Sequence, residues 1–504
     1  MLVKVKSAAL FGLNALLIEI EIDSHKGLPG QTIVGLPDAA VKESRERVKS
    51  AIINSKFEFP EGYFTINLAP GNIRKEGPLY DLPIAIGILA SSSQLAADFE
   101  KLLFIGELSL NGEIRPVSGV LPICCSAKGL GIDKIFVPFE NREEAALVQD
   151  IEIIPLKTLK EAASYLNQEI EIVPHKINID ELFNHDDFEQ DFSEVKGQYF
   201  AKRGLEIAAS GGHNLLLSGS PGSGKTMLAR RFPSILPPLS HAEALEVTKL
   251  YSITGHLKDK ASLITKRPFR SPHHTTSNIG IIGGGRLPKP GEISLSHHGI
   301  LFFDEFPEFE REVLEVLREP MEDGNVTIAR AAGSITYPAE FLFVAAMNPC
   351  PCGNYGDQIK SCSCTPQKIN KYLEKISGPL LDRIDLHIEV PRLKKEELID
   401  KNPAEPSAII RKRVIHARNI QKERFNSKLF SLNSRISPKY IRKFCELTAD
   451  AELFFNNAIT QLKMSARVHD RLLKVARTIA DLDDSELIEA NHIAEAAQFR
   501  GFRQ

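Results

Sequence analysis

The sequence predicts an α/β protein of several domains: a mixed α/β N-terminal part, a central parallel sheet with helices on both faces, and a helical C-terminal part. Three observations lead there. The 504 residues exceed one ordinary domain. Between Val195 and Pro391 short apolar strands alternate with helices, the pattern of a parallel sheet buried on both sides. Beyond residue 392 strand candidates fade, and apolar positions recur at helical spacing through Leu472, Val475, Ile479 and Leu482. A hydrophobic content of 43% supplies ample core and excludes disordered and collagen-like chains. With 62 Lys plus Arg against 65 Asp plus Glu, a uniformly basic nucleic-acid coat is excluded, while a local basic channel is not.

At the N-terminus Ile18, Ile20 and Ile22 alternate with Glu19, Glu21 and Asp23, the period of a half-buried strand rather than a cleaved leader. No apolar run reaches the ~18 residues of a membrane span, so no membrane association and a cytoplasmic location are expected. Residues 1–175 read as one α/β domain, with a strand at Phe64–Leu68 and a helix after Pro37 and Asp38. From Asp180 to Glu194 acidic residues accumulate without any Lys or Arg, interleaved with Phe183, Phe188 and Phe192. That stretch, residues 176–195, reads as an acidic linker whose aromatics dock on a neighbouring domain, or as an exposed acidic loop.

The central region carries the chemistry. Leu215, Leu216 and Leu217 form an apolar strand, and Gly219, Ser220, Pro221, Gly222, Ser223, Gly224, Lys225 and Thr226 follow it as G-x-x-x-x-G-K-[ST]. Such a loop turns successive backbone N–H groups inward around phosphate oxygens, and the following helix adds its positive dipole end. Lys225 is placed to reach the β- and γ-phosphates of ATP, and the Thr226 hydroxyl to ligate Mg²⁺. The buried strand from Ile300 to Phe303 delivers Asp304, a second Mg²⁺ ligand, and Glu305, the candidate general base for the attacking water. A third strand, Phe341 to Met347, delivers Asn348, which either hydrogen-bonds the water or γ-phosphate or simply turns the chain before Pro349. Arg383 and Arg467 are candidates for charge stabilisation. For Arg383 the alternative is a structural ion pair with Asp382 or Asp385.

In this order the residues resemble an AAA+ ATPase. Phe269 to His274 (FRSPHH), Lys289 to Ser294 (KPGEIS), Leu317 to Met321 (LREPM) and Val475 to Ala480 (VARTIA) resemble its Mg-chelatase-like branch. The whole chain is similar to the bacterial ComM/YifB-type proteins. The resemblance implies an ATP-dependent hexameric DNA helicase or translocase that drives branch migration during natural transformation and homologous recombination. It also implies sensor 1 at Asn348, a trans arginine finger at Arg383, a sensor-2 arginine at Arg467, and Gln198 near the adenine. Residues 196–391 would then be the ATPase core and 392–504 the helical lid. Partners would be single-stranded and branched DNA, further copies of the chain in a homo-hexamer, and recombination proteins.

Two N-terminal segments, Lys75 to Asp81 and Gly106 to Gly112, resemble the protease domain of Lon, a ribosomal-S5-like fold. The nucleophile and base positions of Lon fall at Leu79 and Leu121, and leucine can neither attack a carbonyl nor accept a proton. A peptidase is therefore disfavoured. The other rival is a magnesium-chelatase-like subunit remodelling a protein partner.

Cys350, Cys352, Cys362 and Cys364 place four thiols in one short polar stretch, a ligand set for structural Zn²⁺. The expected result is a knob bracing DNA or the next subunit. Cys124, Cys125 and Cys445 read as core. Two loops carry candidate DNA contacts, Arg286 and Lys289 in one and Arg330 in the other, resembling hairpins that enter the ring pore in this clade. Arg330 also fits an ATP-site or interface role. The adjacent pairs His273–His274 and His297–His298 are expected to point in different directions, which favours structural or nucleotide-sensing roles over a metal.

Overall fold

The computed structural model describes residues 2–25, 27–28, 30–183, 188–257, 263–285, 288–330, 333–357, 360–393, 397, 404–426, 431–462 and 466–500. The chain forms two compact units, Met1–His185 with His241–Thr265, and Asp186–Ser240 with Lys266–Gln504.

The first unit is built on a seven-stranded mixed sheet. Its strands run in the order Gly30–Val34, Tyr63–Ala69, Asn14–His25, Leu2–Phe11, Leu102–Phe104, Lys134–Pro138 and Glu152–Leu156. The alternation read at Ile18, Ile20 and Ile22 sets the register: Ile20 faces Val5 and Ile22 faces Val3 across an antiparallel pair, and all three isoleucines are fully buried. The helix Ala39–Asn54 starts at Asp38, whose carboxylate accepts a hydrogen bond from the Val41 N–H at 2.8 Å. Leu121 is fully buried and Leu79 packs against the apolar core. The helix His241–Thr254 falls within residues 196–391 in sequence, yet it belongs to this unit. The Gly119 N–H donates to the Ser252 carbonyl at 3.1 Å, and the Ser252 hydroxyl donates to buried Glu144 at 2.5 Å.

The second unit holds a five-stranded sheet, every pair parallel, in the order Phe269–Arg270, Ile300–Phe303, Leu342–Met347, Leu215–Ser218, Leu386–Glu389. Leu215, Leu216 and Leu217 are fully buried, as a strand covered on both faces requires. The helix before it, Tyr199–Gly211, ends at Gly212 in the left-handed conformation, a glycine C-cap. The C-terminal part is helical, with Ser407–Phe425, Pro438–Phe444, Ala449–Leu462, Ala466–Leu482 and Ala490–Gln498. Leu472, Val475 and Ile479 face the core, and Leu482 is partly buried against it. The acidic stretch is tied down by its aromatics within this unit. Phe192 is fully buried in the core, and the Phe188 ring lies under the cations of Lys266 and Arg411. Among the described residues no helix is long and apolar enough to cross a membrane.

Candidate nucleotide site and its surroundings

Because the first strand of this sheet, Leu215–Ser218, is inserted between the fourth and fifth, the carboxyl ends of the central strands open at one edge. Ser218 lies level with Met347 and with Glu389, so the loop after Ser218, Asn348 and the chain leading to Pro391 emerge together. Open parallel sheets gather their ligand sites at such an edge.

The loop from Gly219 to Gly224 turns through left-handed backbone at Gly222 (φ 79°) and Gly224 (φ 96°), where a side chain would be strained. The helix Lys225–Arg231 starts directly behind it. Lys225 is nearly buried, and its ammonium donates to the carbonyls of Gly219 (2.6 Å) and Ser220 (3.0 Å) and to Asn348 Oδ1 (3.3 Å). Burial depresses its pKa, an effect opposed by the charge of Asp304. Thr226 Oγ1 donates to Asp304 Oδ2 at 2.8 Å, so the hydroxyl and the carboxylate suited to one hard cation stand side by side. Gln198, buried in the left-handed conformation, donates its amide to the Ser223 carbonyl (3.2 Å) and the Pro391 carbonyl (2.6 Å), joining the phosphate loop to the edge strand.

Glu305 also adopts a left-handed backbone (φ 52°), uncommon for a non-glycine residue. Its carboxylate is largely exposed and lies 3.6 Å from His274 Nδ1. Sequence reasoning missed this partner, although the FRSPHH segment that carries it had been singled out. The histidine pairs do not diverge as expected. The rings of His273 and His274 lie 4.1 Å apart and those of His297 and His298 3.8 Å apart, because neither pair sits in a regular strand or helix, and His298 is itself left-handed.

Arg383 lies away from these groups, with its side chain 9% exposed. It pairs with Glu322 at 2.6 Å and donates to the Pro379 carbonyl at 2.8 Å, rather than pairing with the aspartates beside it in sequence. Asp385 is instead engaged by Arg471 (2.9 Å) and His213 (3.3 Å). Burial opposes its charge, yet the Arg471 guanidinium and the hydrogen bond with His213 outweigh burial and hold the carboxyl below the usual carboxylate range. Arg467 stands exposed in the first turn of the helix Ala466–Leu482. The basic stretch in Ser407–Phe425 is anchored to protein groups: Arg413 pairs with Glu206 and Glu405, and Arg418 donates to the Ala209 carbonyl.

The two candidate DNA loops lie together. Gly283–Gly284 pairs with Lys289–Pro290, and Asn325–Arg330 pairs with Gly333–Pro338. Tyr337 of the second hairpin donates to the Pro288 carbonyl of the first at 2.7 Å. Lys289 and Arg330 are exposed. Arg286 lies outside the described residues.

Cys350, Cys352, Cys362 and Cys364 converge, with all four sulfurs within 4.8 Å of one another. Measured separations are 3.4 Å (Cys350–Cys352), 3.7 Å (Cys350–Cys362) and 3.6 Å (Cys352–Cys362). A tetrahedral zinc with Zn–S near 2.3 Å sets its sulfurs about 3.8 Å apart, so the cluster fits that ion. The Cys364 N–H also points at Cys362 Sγ (3.4 Å). Cys124 and Cys445 are buried, as read from their apolar contexts, and Cys125 is partly buried.

Comparison with known proteins agrees with this geometry. Residues 191–398 match the family described as magnesium chelatase, subunit ChlI; residues 20–141 match subunit ChlI of Mg-chelatase; and residues 404–500 match the ChlI C-terminal family. The chain is 44% identical over 501 residues to the uncharacterized protein YifB of Escherichia coli, covering 98% of this chain and 96% of that one. It is 42% identical over 502 residues to the competence protein ComM of Haemophilus influenzae, covering 98% and 97%. A shorter match, 38% over 94 residues, links 18% of the chain to 17% of Lon protease 2 of Bacillus subtilis. The chain therefore belongs to the ComM/YifB family of magnesium-chelatase-like AAA+ ATPases and is an ATP-hydrolysing enzyme.

Proposed function

We propose that this ATPase is a DNA motor that moves strands through branched joints during transformation and recombination, working in the cytoplasm as a homo-hexamer alongside recombination proteins. The observation that carries the proposal is the pairing of a complete nucleotide edge with two interlocked hairpins that expose Lys289 and Arg330, in a chain alike over its whole length to a competence protein. Cations on such hairpins grip phosphates without reading sequence.

In this reading the phosphate oxygens of ATP replace the two carbonyls that now hold the Lys225 ammonium. Mg²⁺ would be held by Thr226 and Asp304, and it supplies neutralisation of phosphate charge. Glu305 accepts a proton from water as the water oxygen bonds to the γ-phosphorus; the bond to the β–γ bridging oxygen breaks, and its electron pair leaves with ADP. Asn348 orients that water. Arg383 of a neighbouring subunit and Arg467 stabilise the charge of the transferring group, and Gln198 borders the adenine. Zinc on the four cysteines is structural, since four protein ligands leave no open position. The first unit takes a Lon-like fold, for which the partial match to Lon protease 2 is the support, and serves assembly or DNA contact; with Leu79 and Leu121 in place of the dyad it carries no peptidase.

A synthetic branched DNA joint with ATP tests this, run beside Lys225→Ala and an ATPase assay with and without DNA. Joint resolution lost in the variant, with DNA-stimulated hydrolysis, is expected. The three ChlI matches favour a second reading, a remodeller of a protein partner. Hydrolysis indifferent to DNA, with no joint resolved, would establish that reading and reject the motor.

A further inference from the structure

The cysteine module meets the nucleotide edge both in sequence and in space. Fully buried Cys350 follows Asn348 by two residues. Gly353, left-handed at φ 80°, lies against the phosphate loop so closely that a Cβ there would sit 2.5 Å and 2.6 Å from Pro221 Cδ and Cγ, and 3.8 Å from Asn348 Cγ. Asp357, its side chain 2% exposed, pairs with Arg392 at 2.9 Å, next to the Pro391 carbonyl that receives Gln198. Just past Cys364, Thr365 caps the helix Pro366–Leu373. Gly353 therefore bears on both the phosphate loop and Asn348, while Asp357 ties the module to the chain just beyond the edge strand.

We infer that the four-cysteine module is a metal-dependent brace of the nucleotide site: zinc on the thiolates holds Pro221 and Asn348 where the phosphates of the nucleotide are received. The inference rests on the nucleotide-site and zinc readings above and assigns the module a role in ATP binding that does not pass through DNA. Without the ion, the stretch between the outer cysteines regains the freedom of an open loop, and its contacts with Pro221 and Asn348 lose their common anchor.

The test uses the full chain without DNA and reads the affinity of a fluorescent ADP analogue, the zinc content and the melting temperature. Three samples are compared with the zinc-loaded wild type: Cys352→Ser, chelator-stripped wild type before and after zinc return, and Gly353→Val. The valine leaves all four ligands in the sequence but pushes on Pro221 and strains the left-handed backbone beside Cys352, so its zinc content is read together with its affinity. Affinity is expected to fall about tenfold in the serine variant and the stripped protein, and to recover with zinc. Gly353→Val should retain zinc, stay folded and bind as weakly. Wild-type affinity in Gly353→Val and in folded, zinc-free protein would overturn the brace, as would a wild type that takes up no zinc. A zinc-loaded wild type that binds no nucleotide, like a Lys225→Ala control, would overturn the nucleotide-site reading and the brace with it.

Discussion

Replacing Arg383 by Ala separates a catalytic arginine from a structural one. Within one chain the side chain makes an ion pair with half-exposed Glu322 and one hydrogen bond to the Pro379 carbonyl. An ion pair with one exposed partner contributes at most about 1 kcal/mol, and the main-chain bond about 1 kcal/mol more. A purely structural Arg383 therefore costs about 2 kcal/mol of stability, visible as a lower melting temperature, and leaves kcat at saturating ATP nearly unchanged. A finger supplied to a neighbouring subunit predicts a fall in kcat of about a thousandfold, roughly 4 kcal/mol in the barrier, with nucleotide affinity retained. Steady-state hydrolysis at a temperature well below melting reads the difference, and mixing sharpens it. Arg383→Ala subunits keep an intact Lys225, while Lys225→Ala subunits keep an intact Arg383, so mixed rings regain activity at interfaces that combine the two. An Arg383→Ala protein hydrolysing ATP at the wild-type rate would refute the assignment.

Other consequences concern the remaining groups. Glu305→Gln, which removes the proton acceptor and weakens the pairing with His274, should bind ATP normally and hydrolyse it at least a hundredfold more slowly; unchanged single-turnover hydrolysis would remove Glu305 from the chemistry. The double variant Lys289→Ala, Arg330→Ala should weaken DNA binding across all sequences and lower its salt dependence by about two counter-ions, while hydrolysis without DNA stays the same. Asp385→Ala should destabilise the second unit by about 3 kcal/mol, since it strands Arg471 and His213 beside an uncompensated buried site. Because the folded carboxyl titrates below its unfolded value, its contribution is fully present above the ordinary carboxylate range and is lost as pH falls beneath it. Melting curves between about pH 5 and pH 8 should therefore show a constant gap between variant and wild type, narrowing only in stronger acid.

How much of the site was legible beforehand depends on how local each signal is. The phosphate loop, Thr226, Asp304 and Asn348 were readable because each lies within a few residues of an apolar strand, and a parallel sheet places strand ends where chemistry is done. The half-buried N-terminal strand was legible from its period of two, and the helix at Asp38 from its cap. The four cysteines announced themselves by residue type and proximity. The sequence by itself thus determined which charged, hydroxyl and thiol groups stand at the candidate sites, since those groups belong to side chains and to short backbone turns. Tertiary structure alone decided who meets whom. Arg383 turns to Glu322, far off in sequence, because Asp385 is consumed by Arg471 and His213. His274 reaches Glu305 because the strand before one lies beside the strand before the other. Gly353 lands on Pro221 because the first strand is inserted beside the fourth, which sets the phosphate loop against the cysteine module. These encounters follow from strand order and long-range packing, and no window of neighbouring residues encodes them.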